Sequence, residues 1–201
     1  MEFYKKIKWI LGILMVFVLI VTTNLIDRNN FVRVRDSVVT IYEDRLVAKD
    51  LIFDIAKSVH KKEKAAIKSD SLFFLKENVL INEDLQEFLS RYQQTRLTDE
   101  EGKIFDDLKG NLALLEKAEI AFVRSEFVQK KPLMDQIFHV QNNLDDLSEI
   151  QLDEGKKQMS ISKRAIDTVE LFTQIEIYLL IFLAIVIQII VMYSPKEKKE
   201  N

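Results

Sequence analysis

Cysteine is absent from the 201 residues, glycine occurs four times, proline twice and histidine twice. Without cysteine there is no disulfide framework, no thiolate metal site and no thiol nucleophile, and the lack fits an extracytoplasmic domain. Between Ile13 and Glu101 there is neither glycine nor proline, and Gly12, Gly102, Gly110, Gly155, Pro132 and Pro195 are the only such residues in the chain. A sheet protein needs far more turn residues, so an all-α chain is predicted. A formal charge of −3 argues against nucleic acid as a partner.

Two long apolar runs are present, one near each end. Trp9 to Ile26 reads WILGILMVFVLIVTTNLI and Ile177 to Tyr193 reads IYLLIFLAIVIQIIVMY, both without a charged residue. At 1.5 Å per residue each helix would reach roughly 26 Å, close to the hydrocarbon thickness of a bilayer. Membrane helices are therefore predicted over 9–26 and 175–193. Lys5, Lys6 and Lys8 precede the first and Lys196, Lys198 and Lys199 follow the second, which places the tails 1–8 and 194–201 in the cytoplasm and the segment 27–174 outside. Trp9 and Tyr193 fall at the inner boundary, Tyr178 near the outer one. The first run is too long for a secretory signal core and no small-residue cleavage site follows it, so it reads as a retained anchor. Gln188, polar within the second run, is expected to pack against the other span.

The outer segment divides into four helices. The first runs from about Asp27 to Lys68 with a stripe of Phe31, Val34, Val38 and Ile41, then Ile52, Ile55 and Val59 after one skip in the period. Ser69, Asp70 and Ser71 mark a tight turn before a second helix reaching about Gln94, with Phe74, Ile81, Leu85, Phe88 and Tyr92 as its seam. Thr98-Asp99-Glu100-Glu101 is a capping box opening a third helix, striped by Phe105, Leu108, Leu112, Leu115 and Phe122. Pro132 suits the first turn of a fourth helix carrying Leu133, Ile137, Val140, Leu144 and Leu147, which should run on into the second span.

Short connections force antiparallel neighbours, hence an up-down-up-down four-helix bundle with long first and fourth helices. The shorter second and third helices leave a two-helix stalk near the membrane, which buries little alone; a second copy would complete its cross-section, so a homodimer is expected. Gln151, Glu154 and Gln158 take the seam positions beyond Leu147, and the stretch from Gln151 to Ile166 is expected to be solvated rather than to act as a switch.

No glycine-rich phosphate loop, G-x-S-x-G or H-E-x-x-H motif is present, so neither catalysis nor a cofactor is expected. His60 and His139 lack further nominated ligands, and no metal is expected. The remaining chemistry is recognition of a small anion by guanidinium groups, for which Arg33, Arg35 and Arg45 on the first helix are the candidates beside Arg28. Asp27, Asp36, Glu43 and Asp44 offer those arginines internal partners.

The layout resembles the four-helix-bundle sensor domain found at the start of many methyl-accepting chemotaxis proteins. Ile41-Tyr42-Glu43-Asp44-Arg45-Leu46-Val47 with Lys49-Asp50-Leu51 is similar to that family's first-helix stretch, Leu97-Thr98 with Glu101 to its turn before the third helix, and Leu144, Leu147, Ile150 and Gln151 to its fourth-helix pattern. The resemblance implies a sensing module of a bacterial inner-membrane receptor, a homodimer with its bundle in the periplasm, and it carries over no ligand and no binding residue. Only Ser194 to Asn201 follow the second span, so the relay and signalling hairpin of such receptors have no counterpart in the sequence. The expected function is a chemoreceptor-like sensor module acting through a membrane partner; the alternative is a scaffold subunit of an envelope assembly, with an unbroken dry core and no pocket.

Overall fold

The computed structural model describes residues 2–192, and every element among them is helical. Helix α1 spans Glu2–Thr40, α2 Val47–Lys68, α3 Asn78–Gln93, α4 Asp99–Arg124 and α5 Lys130–Met192; π-helical turns cover Ile41–Leu46 and Phe73–Glu77. Met1, Tyr193 and the predicted tail 194–201 lie outside the described residues.

Two compact units form, Met1–Ser37 with Ser160–Asn201, and Val38–Met159. The second is a four-helix arrangement around one core. Leu51, Ile52, Ile55 and Val59 of α2 meet Ile81, Leu85 and Tyr92 of α3, Phe105, Leu108, Leu112, Leu115 and Phe122 of α4, and Leu133, Ile137, Val140, Leu144 and Leu147 of α5, all buried. The predicted seams of α3, α4 and α5 thus form the interior. Phe88 is only half-buried, and Leu89 takes the inner position beside it.

Turns are built without glycine. Ser69 closes α2 in the left-handed conformation (φ 51°), and the Asp70 carboxylate accepts the Phe73 amide at 3.1 Å to start the next helix. After α4, Glu126 (φ 53°) and Phe127 (φ 67°) are also left-handed. For a residue as bulky as Phe127 that backbone is costly. Its ring offsets the cost by packing edge-on against Phe122 at 5.3 Å, and its amide donates to the Phe122 carbonyl at 3.0 Å. The helix that follows begins at Lys130, which places Pro132 within its first turn.

The first helical stretch departs from expectation twice. The skip noticed in its apolar period is a π turn, Ile41–Leu46, whose extra residue shifts the phase. The predicted stripe upstream of it is not the inner face: Phe31 is 69% and Val38 55% exposed. The buried residues there are Thr23, Asn30 and Ser37 at seven-residue steps, and in the same unit Ser162 and Ala165 of α5 are buried. Small side chains let two helices approach closely, and that contact outweighs apolar content where only two helices pack. Thr23 satisfies its hydroxyl on the Ile20 carbonyl at 3.0 Å.

Among the described residues one helix, within Lys130–Val186, contains a stretch long and apolar enough to cross a membrane, and none of that stretch is buried. Gln188 is exposed.

Candidate functional site

Two polar networks interrupt the core of the Val38–Met159 unit. The first is organised by Arg45, which the π turn delivers to the interior with 6% exposure. Its Nη1 donates to Glu101 Oε2 at 2.9 Å and to Gln151 Oε1 at 3.2 Å, and its Nη2 to the Arg96 carbonyl at 3.2 Å. Tyr92 donates its hydroxyl to Glu101 Oε1 at 2.7 Å, and the Gln151 amide donates to Tyr92 Oη at 3.0 Å and to Glu101 Oε1. Glu101 is fully buried. It also completes the capping box foreseen at Thr98, accepting the Thr98 amide while Thr98 Oγ1 accepts the Glu101 amide, both at 3.2 Å. One carboxylate therefore caps α4 and neutralises the buried guanidinium. Burial, and next its bond to Glu101, push the Tyr92 phenol well above its ordinary range. Arg45 Nε has no partner among the described residues.

The second network centres on Lys62, 1% exposed. Its ammonium donates three bonds, to Asn78 Oδ1 and Asn82 Oδ1 at 2.6 Å and to Glu119 Oε1 at 2.7 Å, which uses all three of its hydrogens. Asn78 Nδ2 donates to Glu119 Oε2 at 2.8 Å. Burial pulls the Lys62 amine below its ordinary value in spite of the opposing pull of Glu119. Asn78 follows directly on the second π turn, as Arg45 lies within the first, so each buried cluster is tied to a local irregularity of its helix.

Both pairs are neutral overall, and their stabilising Coulomb term is set against a large desolvation cost; such clusters specify one packing more than they stabilise it. A small, partly open pocket of about 20 Å³ beside Lys62 has room for about one water. An open groove of about 380 Å³ between α3 and α4 is lined by Phe74, Val79, Ile120 and Val123 together with Asn78, Asn82, Glu116, Glu119 and Arg124. A solute in that groove would meet three members of the Lys62 network.

The residues singled out in the sequence are dispersed. Arg45 is buried and bound to Glu101 rather than to the adjacent acids, Arg35 pairs with neighbouring Asp36 at 2.8 Å on the surface, and Arg33 and Arg28 are exposed. His60 is exposed beside Glu63, and His139 is exposed. Gln151, expected to be solvated, is 2% exposed and fully engaged, whereas Glu154 and Gln158 are half-buried. The Lys62 network escaped the sequence reading although its spacing was visible: Lys62 continues Ile55 and Val59, and Glu119 sits between Leu115 and Phe122 on the α4 stripe. A charge at a seam position was the available signal.

Compared with known proteins, the chain matches no family model, no curated protein and no solved structure.

Proposed function

We propose that this chain is a membrane-tethered sensor module of the chemoreceptor type, with its bundle on the outer face of a bacterial inner membrane and its signal passed to another membrane protein. The observation that carries the reading is the α3–α4 groove backed by the Lys62–Glu119 network. A small polar solute bound there would touch Asn78, Asn82 and Glu119, the groups that lock α2, α3 and α4 in one register, and would bias that register through hydrogen bonds it makes or breaks. Helix α5 runs without interruption from the bundle into the apolar stretch, so one continuous helix links the two. A scaffold would be served by an unbroken apolar core, and two buried charge networks count against that alternative.

The test is a melting-temperature screen of the full chain in lipid nanodiscs against separate pools of amino acids, small organic acids and short peptides. At least one pool is expected to raise the melting temperature, and the Val79→Trp variant, which fills the groove from an exposed position, is expected to lose that rise. If no pool shifts the wild type, or if the shift survives in Val79→Trp, the groove is not a sensing site.

A further inference from the structure

The α3–α4 groove carries opposite charges toward its two ends. On its α4 wall Glu116, Ile120 and Arg124 follow one another at four-residue steps, and α3 contributes Val79 and Asn82. Asn82 stands beside Glu116, since both also line the small pocket next to Lys62. Glu116 and Arg124 are exposed, and neither forms an ion pair among the described residues. Beneath them Lys62 and Glu119 neutralise each other at 2.7 Å. The Glu116 end is therefore net negative and the Arg124 end net positive, with Val79 and Ile120 between them. Asn82 commits its Oδ1 to Lys62, which leaves its amide hydrogens for an acceptor in the groove.

The separation of the two charges selects the length of a complementary solute. Eight residues of helix place Glu116 and Arg124 about 12 Å apart along the axis. A free α-amino acid holds its ammonium and carboxylate within one residue, roughly 3.5 Å, and cannot meet both; an extended chain of three residues spans about 10 Å, and the two side chains close the remainder. We propose that the groove takes a short peptide of about three residues, its amino terminus at Glu116, its carboxylate on the Arg124 guanidinium and a backbone carbonyl on the Asn82 amide. The reverse orientation would set like charges against each other. Small apolar side chains suit the middle, where they meet Val79 and Ile120. The assignment rests on the sensing role above for the site and adds the class of solute.

Trialanine is the probe, added to the full chain in lipid nanodiscs. It is expected to raise the melting temperature, whereas N-acetyl-trialanine, trialanine amide and alanine each need at least about tenfold more solute for the same rise, because each lacks one charge-assisted contact or the reach to make both. Glu116→Gln is expected to respond equally to trialanine and its acetylated form, and Arg124→Gln equally to trialanine and its amide; both positions are exposed, so the fold is retained. No response to trialanine, an equal response to alanine, or an undiminished preference in either variant overturns the proposal. Should a different pool shift the wild type and Val79→Trp remove that shift, the groove keeps its sensing role and the peptide assignment alone falls; if every pool is silent, both fall.

Discussion

Arg45 Nη1 and Glu101 Oε2 lie 2.9 Å apart across 56 positions of sequence, joining a π turn in the first helical stretch to the cap of α4. The pair explains why the π turn persists. The extra residue in Ile41–Leu46 sets where Arg45 points, and the reward for that distortion is a guanidinium aimed at a carboxylate already held by Thr98 and Tyr92. A regular helix there would turn Arg45 away and leave Glu101 buried without its counter-ion.

Removing one partner should therefore cost far more than removing both. Glu101→Ala leaves a buried guanidinium unpaired and costs about 3–5 kcal/mol, while Arg45→Met with Glu101→Gln costs clearly less. Chemical denaturation of the full chain followed by circular dichroism measures both.

The two networks give opposite slopes in alkaline solution. The Lys62 amine is lowered in the folded chain from 10.5, so between the folded and unfolded values the unfolded chain holds the extra proton and stability rises with pH. The Tyr92 phenol is raised from 10.0, so above pH 10 the folded chain holds the extra proton and stability falls. Tyr92→Phe is expected to remove the fall above pH 10, and Lys62→Met with Glu119→Gln to remove the rise below it. Melting temperatures from pH 7 to 11 show whether the slopes separate in this way.

The aromatic cluster at the end of α4 should be the most sensitive apolar site. Phe122 is fully buried, with its ring 5.4 Å from Phe74 and 5.3 Å from Phe127. Phe122→Ala should cost about 3–5 kcal/mol, and Phe138→Ala, 60% exposed on α5, within about 0.5 kcal/mol of nothing. Denaturation midpoints at constant slope decide it.

Stabilising changes are also predictable. Ser69 and Glu126 adopt positive φ without being glycine. Ser69→Gly and Glu126→Gly should each raise stability by about 0.5–1 kcal/mol, since glycine relieves the left-handed strain at a helix end. A rise of several degrees in melting temperature for the double variant is the expected reading.

The helices and most of the core were legible because apolar periodicity and capping chemistry are local. Thr98 with Glu101, the Phe105-to-Phe122 stripe and the Leu133-to-Leu147 stripe all lie where the pattern put them. What the pattern missed depends on contacts between distant segments. Nothing near Arg45 in sequence points to Glu101 or Gln151, and adjacent acids look like the natural partners. The outward turn of Phe31 and Val38 was hidden for a related reason: periodicity reports that a helix has an apolar face, but not that Thr23, Asn30 and Ser37 take the buried positions there.

The most direct test of a bundle held outside by a membrane anchor is labelling of Ser90→Cys, exposed on α3, with a membrane-impermeant maleimide in intact spheroplasts. An outer bundle predicts modification as complete before lysis as after it. Modification that appears only once the membrane is broken would contradict the proposed topology, and with it the role as an external sensor.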